Sequence, residues 1–507
     1  MSDSDDVLRC TIKGNNRRLI QHDAFALLPD QGVGRAEINT DVVGEKPKAT
    51  HGDEVTNGSY PFLCIIAAMS RIDDVRQTLR LAGPIAASQV SDMLTLTADA
   101  MMVGALGSEA LAAVTLAGSS TTPVMLFAVG FTVAMSAPAA AAWELGRHDR
   151  IADVFRTGRR ISLWVTLALV VILLSVSPFL YLLGSPDGVT NLAIPYLRWY
   201  VASFFFRIWF GTYKQTIEAT GNTRLPMLIA LTANLSNVLM NALLIYGWAG
   251  LPAMGVEGAG LATFLSRVLS VALIALAWHR MDSLRSVRGA PVVADPEVRR
   301  SLLSSGASIG LQITIEVLAF AGGAIMMGWI GTTALAAHQV AINLASITFM
   351  VALAIGTAAT YRMAAAHASD DPARMRMVGT TALGIIVVFE LITATLLVTL
   401  RSVMPTWYIS EPAVVAMASQ LLILAAAFQL FDGVQAVGLG ILRGLHDTVV
   451  PTRIVMVSYL VIALPASYLL GFHTSLGPTG VWLGYVAGLI FSSAGFVYRF
   501  LTITHKK

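Results

Sequence analysis

The chain has 507 residues, of which 55% are hydrophobic and only 13% charged, with a mean hydropathy of +0.68 and a formal net charge of +3. Soluble domains carry about 25% charged residues, so a surface this poor in charge excludes a soluble enzyme and must face lipid. The weak positive balance, spread over the whole chain, leaves no electrostatic footprint for nucleic acid.

Residues 1 to about 58 are polar, with Asp3, Asp5, Asp6, Asn15, Asn16, Lys46 and Lys48 interspersed and no sustained helical period, a composition that reads as disorder. Tyr60–Met69 is apolar but spans ten residues, short of the roughly 20 a spanning helix needs, and no signal-peptidase pattern follows it. Met69 followed by Ser-Arg-Ile-Asp-Asp has the character of a natural start. Residues 1–68 are therefore expected to be a disordered cytoplasmic tail or an over-extended reading frame. Both cysteines, Cys10 and Cys64, fall in this stretch, leaving no disulfide framework and no thiolate metal site. No dinucleotide fingerprint, Walker loop, HExxH or GxSxG stands in the sequence, so neither an enzyme nor a cofactor is expected.

From Leu81 onward, long apolar stretches alternate with short polar breaks. Twelve candidate spans follow, at 81–104, 109–141, 159–183, 192–217, 226–247, 257–279, 302–330, 334–361, 378–402, 412–440, 449–471 and 479–501. Lys and Arg near span ends stay cytoplasmic. One set of connections holds Arg147, Arg150, Arg156, Arg159, Arg160, Arg224, Arg280, Arg285, Arg288, Arg299, Arg300, Arg374, Arg376 and Arg453, whereas the alternate set holds only Arg401. With an even number of spans, both termini are expected in the cytoplasm of a bacterium, with the chain multi-pass in the inner membrane.

A duplication divides the chain. Met102-Val-Gly104-Ala-Leu-Gly107-Ser-Glu-Ala110-Leu-Ala-Ala113 returns 224 residues later as Met326-Met-Gly328-Trp-Ile-Gly331-Thr-Thr-Ala334-Leu-Ala-Ala337. Phe206, Thr223 and Pro226 match Phe431, Thr448 and Pro451 at an offset of 225, and Gly255, Gly258 and Leu261 match Gly477, Gly480 and Leu483 at 222. The predicted architecture is all-α, with 12 transmembrane helices in two parallel six-helix lobes, 69–280 and 299–507, joined by a cytoplasmic linker at 281–298. Six spans per copy give both copies the same orientation, the geometry of transporters that rock two lobes about a central cavity.

Spans 1, 7 and 10 bury Asp92, Asp99, Glu316 and Asp432 in apolar surroundings. An ionised carboxylate there costs at least ~2.5–3.5 kcal/mol, so it faces a cavity or partner and marks function. Such a group can hold a proton, Na+ or a drug cation in exchange, and protonation competes with cation binding. Asp92 and Asp99 are seven residues apart, two turns, and share a face. Asp92 also occupies the repeat position of Glu316, at offset 224, where a coupling acid and a structural acid are both open readings. Arg207 occupies the repeat position of Asp432, either as a sign of diverged lobes or as an ion-pair partner for Asp92 or Asp99. Asn234, Asn237 and Asn241 share one face of span 5, fit for inter-helix hydrogen bonds or for a polar cavity wall.

The blocks Ala98-Asp99-Ala-Met-Met-Val-Gly104, Gly310-Leu-Gln312-Ile-Thr-Ile-Glu316, His338-Gln339-Val-Ala-Ile-Asn343, Phe428-Gln-Leu-Phe-Asp432-Gly-Val-Gln435 and Leu442-Arg-Gly444 together resemble the MATE family of multidrug and toxin extrusion antiporters, most closely its NorM-like branch. The resemblance implies a multidrug efflux antiporter that exports organic cations against inward Na+ or H+ by alternating access, acting as a monomer in the lipid bilayer. It implies an ion site at Glu316 and Asp432, where Na+ could bind, and a coupling or substrate role for Asp99. Asp92, Arg207, Asn237, Asn241, Gln312, Phe428 and Gln435 are the further candidates for a substrate site or polar cavity. Phe428 stands where some relatives have Tyr, which removes a hydroxyl ligand and leaves Na+ and H+ both open. The rival reading within transport is a flippase for a lipid-linked oligosaccharide or other amphipathic substrate of the same superfamily.

Overall fold

In lipid every backbone N–H and C=O must be satisfied within its own segment, which makes each long apolar run a helix. The computed structural model describes residues 61–506 apart from 178–179, 182–184 and 292–294, so the stretch 1–60 expected to be disordered lies outside the described residues. Twelve long helical segments occur among the described residues. They are α1 Pro61–Gly104, α2 Ser108–Glu144, α3 His148–Val176, α4 Asp187–Ala219, α5 Arg224–Tyr246 and α6 Gly255–Arg280, then α7 Pro296–Ile330, α8 Thr332–Ala368, α9 Pro372–Thr399, α10 Pro412–Gly444, α11 Val449–Phe472 and α12 Pro478–Lys506.

Ten of these are long and apolar enough to cross a membrane; α1 and α4 fall short. The reason is chemical. α1 carries Asp92 and Asp99 within its apolar part, and α4 carries Arg198, Arg207, Lys214 and Glu218. The first helix also starts at Pro61, so residues 61–68, expected in the unstructured tail, are helical. A proline at the first helical position is favourable because its missing N–H would have no partner there.

Residues Asp74–Lys507 form one compact unit, and the duplication is visible in it. The turns α1–α2 and α7–α8 are made by Gly107 at φ 124° and Gly331 at φ 154°, repeat mates in backbone geometry that a Cβ disfavours. α2 and α3 pack on α4, α4 on α6, and α5 on α6; the same pairings recur as α8 and α9 on α10, α10 on α12, and α11 on α12. Leu94, Leu239, Trp164, Trp329, Leu391 and Tyr498 are exposed on the outside of these helices, as lipid-facing positions are.

The halves meet along α2 and α7. There a Cβ on Gly130 or Gly310 would collide with the facing backbone, and one on Gly306 with the Phe131 ring; small residues let helices approach this closely in a membrane. Thr314 donates to the Pro123 carbonyl at 3.3 Å in the same seam. α8 also packs on the last part of α2, Ser136–Glu144. In α11, residues Val457–Ala463 widen into a π-helix. Pro465 follows; it has no N–H for the carbonyl four residues back, and its ring crowds that turn.

Candidate functional site

In the first half the polar residues gather on α1, α4, α5 and α6. Asn241 donates to Asp99 Oδ1 and, at 3.4 Å, to Asn237 Oδ1; Asn237 donates to Thr263 at 3.5 Å. Two turns away, Asn234 donates to Asp92 Oδ1 at 2.8 Å and to Ser91 at 2.9 Å. The ion pair considered for Arg207 with Asp92 or Asp99 does not form among the described residues. The cation near Asp99 is Arg267 on α6, within electrostatic reach of it. Arg267 donates to Ser203 and lies over the rings of Tyr200 and Phe204, at 5.3 and 5.7 Å. The guanidinium is delocalised and less strongly hydrated than an ammonium, which makes arginine the cation that tolerates an aromatic, dry site.

In the second half, Glu316 Oε1 accepts from Gln435 Nε2 at 3.0 Å and from the Tyr459 hydroxyl at 3.3 Å. Gln435 in turn accepts from Ser492, so one network ties α7, α10, α11 and α12. Tyr459 reaches Glu316 from the π-helical part of α11, and such wide turns recur at functional sites. Asp432 is 6% exposed and its Oδ1 has no hydrogen-bond partner. Glu316 and Glu390 both act on it electrostatically. Glu390 on α9 is 1% exposed, takes a hydrogen bond from Thr393 at 2.8 Å, and packs against Gly433, where any Cβ would displace it. Among the described residues no three carboxylates converge as a metal cage.

Phe428 sits in an aromatic wall, edge-on to Phe320 at 5.8 Å and to Trp482 at 5.5 Å, with Phe320 edge-on to Tyr459 at 5.9 Å. The hydroxyl absent at 428 therefore enters the site from Tyr459. Gln312 accepts a long 3.5 Å hydrogen bond from Arg443, and its Nε2 has no partner.

The repeat explains which contacts are shared. Asn234 and Tyr459 are mates at offset 225, as Asp92 and Glu316 are at 224, so each half has an acid on its first helix held by its fifth. Ser203 and Phe428 are also mates at 225, and here the halves part: hydroxyl and arginine in one, aromatic wall in the other. Sequence reasoning missed Arg267, Glu390 and Tyr459. The first two are lone ionisable residues inside apolar spans, the same signal that marked Asp99 and Glu316, whereas Tyr459 depends on the π turn and leaves no local mark.

A duplicated, multi-pass helical chain with paired acids buried between its helices is a membrane transporter in class. The family model MatE matches residues 84–243 and 309–469, one match in each half. A "Probable multidrug resistance protein NorM" of Bradyrhizobium diazoefficiens is 33% identical over 442 residues, covering 86% of this chain and 94% of its own. A protein of the same description from Mesorhizobium japonicum is 33% identical over 443 residues, 84% and 94% respectively. The solved structure of a MATE in complex with MaD3S shares the fold at a TM-score of 0.78 and 19% identity, covering 86% of this chain and 97% of that one. The chain belongs to the MATE family of multidrug transporters.

Proposed function

We propose that this protein exports organic cations across the bacterial inner membrane in exchange for inward Na+ or H+. It does so by alternating access between two parallel six-helix lobes, α1–α6 and α7–α12, with twelve spans and both termini in the cytoplasm. The observation that carries the reading is Asp432: a carboxylate 6% exposed, with an oxygen that no group among the described residues satisfies, within electrostatic reach of Glu316 and Glu390. Such a group is tolerable in a membrane only when it binds a proton or cation.

Exchange then follows from competition. An ion entering at Asp432 and Glu316 neutralises the site, and an organic cation that needs the same charge is released. Coupling requires each to favour a different conformation. Each inward charge gains about 2.3 kcal/mol per 100 mV of membrane potential. Asp99 and its asparagine pair give the first half a second cation-responsive site, tempered by Arg267. The seals between the halves support the alternating-access reading. Arg362 on α8 is paired with Asp74 and bonded to Thr78, both on α1, Tyr361 donates to Gln215 and Glu218 of α4 at 2.7 and 2.9 Å, and Arg374 meets Glu144 at 2.6 Å. All lie at the arginine-rich ends of the helices, which fits a state closed to the cytoplasm.

The test is efflux of a fluorescent organic cation from proteoliposomes with a Na+ gradient or a pH gradient imposed separately. Export driven by Na+ alone assigns Glu316 and Asp432 to sodium, and export driven by the proton gradient alone makes them protonation sites. Equal, slow export under both overturns the antiport reading.

A further inference from the structure

We infer that Arg443 is a fixed positive charge that closes the ion site at Glu316 towards the arginine-rich ends of the helices, preventing the coupling ion from leaking through while the halves are shut. This rests on the reading of Glu316 and Asp432 as the ion site. Arg443 follows Asp432 on α10 by three helical turns, about 16 Å at 1.5 Å per residue. It lies within electrostatic reach of Glu316. Among the described residues its hydrogen-bond partner is a neutral one, Gln312 at 3.5 Å, and its Nε is enclosed without an acceptor. No carboxylate pairs with it among the described residues. Its charge is thus not cancelled by a neighbour in contact.

Arg443 also lines a cavity of about 20 Å³, together with Ser136, Ser301, Ser305, His446 and Thr448, enough for one water. Thr448 donates to Ser305 at 3.4 Å across it. These hydroxyls come from the ends of α2, α7 and the α10–α11 turn. Arg443 lines this cavity together with the hydroxyls and acts electrostatically on Glu316, so a passage from the helix ends by way of the cavity brings a proton or a small cation against the guanidinium. A guanidinium across that passage raises an electrostatic barrier to cations, as arginines do in selective pores. The other half has the opposite arrangement: at the repeat position of Arg443, offset 225, stands Glu218, bonded to Tyr361 and 3.9 Å from Lys214. The half with the acid cluster is the half with the arginine barrier.

The experiment measures passive uptake of radioactive Na+ and of protons into proteoliposomes under an inside-negative potential, with no organic cation present. Wild type is expected to be tight and R443Q to leak at least tenfold faster. R443K, which retains the charge, is expected to remain tight, and R443Q combined with E316Q to be tight again. A tight R443Q overturns the inference, as does an R443K that leaks like R443Q, since the role is then one of shape. A leak that persists in the double variant means that the ion bypasses Glu316, which overturns the ion-site reading as well; a tight R443Q together with loss of coupling in E316Q removes the barrier alone. If R443Q does not insert, S305D lowers the positive potential with Arg443 in place, and is expected to leak, with a tight S305D counting against the barrier.

Discussion

At the scale of single residues the site is a set of acids with different degrees of support. Asp432 has an unsatisfied oxygen, Glu316 has two donors, and Glu390 has one from its own helix. D432N and E316Q are therefore expected to lower ion-driven export at least tenfold, a loss of about 1.4 kcal/mol or more of coupling, with insertion unchanged; reconstituted efflux at wild-type rates would contradict this. E390Q, which keeps the packing on Gly433 and removes only the charge, is expected to change the ion dependence of export more than its maximal rate, read from titrations of Na+ and pH. D99N is expected to give a smaller, substrate-dependent loss, because Arg267 already offsets part of that charge. The acids that stand alone in apolar spans were legible in the sequence at Asp92, Asp99, Glu316 and Asp432. Their partners were legible only where a helical spacing or the family resemblance pointed to them, as for Asn241 and Gln435 respectively. Arg207 shows the limit: an ion pair with Asp92 or Asp99 was one open reading of it, but the arginine that comes near Asp99 is Arg267 on α6, which no local pattern encodes.

At the scale of elements, helix breaks decide where side chains arrive. The π turn in α11 carries Tyr459, which reaches Glu316, and Pro465 stands just after it, where its missing N–H favours such a break. P465A is expected to restore regular α geometry, turn Tyr459 away and reproduce the effect of Y459F, a loss of about 1.5–3 kcal/mol for a hydrogen bond to a charged group; equal efflux in P465A and wild type would show that the turn does not depend on the proline. Gly107 and Gly331 make the same turn in both halves, so G107A and G331A are each expected to cost about 1–3 kcal/mol of strain, seen as similar falls in thermal stability in detergent. At the start of α7, Arg150 and the Glu297 N–H hold the Asp295 carboxyl below its usual range. A depressed carboxylate contributes stability above its ordinary titration range, which fades as pH falls through its lowered value. The number and limits of most helices were readable from apolar runs and arginine placement. The early start of α1 and the π turn were not, since the first apolar run is too short to mark a span and is joined to the rest of α1 across the polar residues 70–80, and the second is a widened turn that leaves no local mark.

At the scale of the whole molecule the contacts at the arginine-rich ends are expected to hold the closed state of the proposed exchange cycle. Y361F removes the hydroxyl shared by Gln215 and Glu218, and the loss of about 1.5–3 kcal/mol is expected to shift the closed-to-open ratio roughly 10- to 100-fold. Spin labels at Arg147, between α2 and α3, and at Ala373, in the first turn of α9, both exposed and flanking the Arg374–Glu144 pair, are expected to show a longer-distance population in Y361F and in R374Q; unchanged distances in both would mean that these bonds do not hold the state. The connection between the halves has a further consequence for how such an opening proceeds. Leu284 and Val287 are 0% and 1% exposed, Arg288 is bonded to the carbonyls of Trp278 and Met281, and Arg156 of α3 holds the carbonyls of Arg288, Ala290 and Pro291. The segment after α6 is thus fastened to the first half as far as Pro291, and Asp295, at the start of α7, is paired with Arg150 of α3. Two bodies tied this closely at one corner are expected to pivot there, with the pair Arg150–Asp295 holding as the rest of the cytoplasmic contacts part.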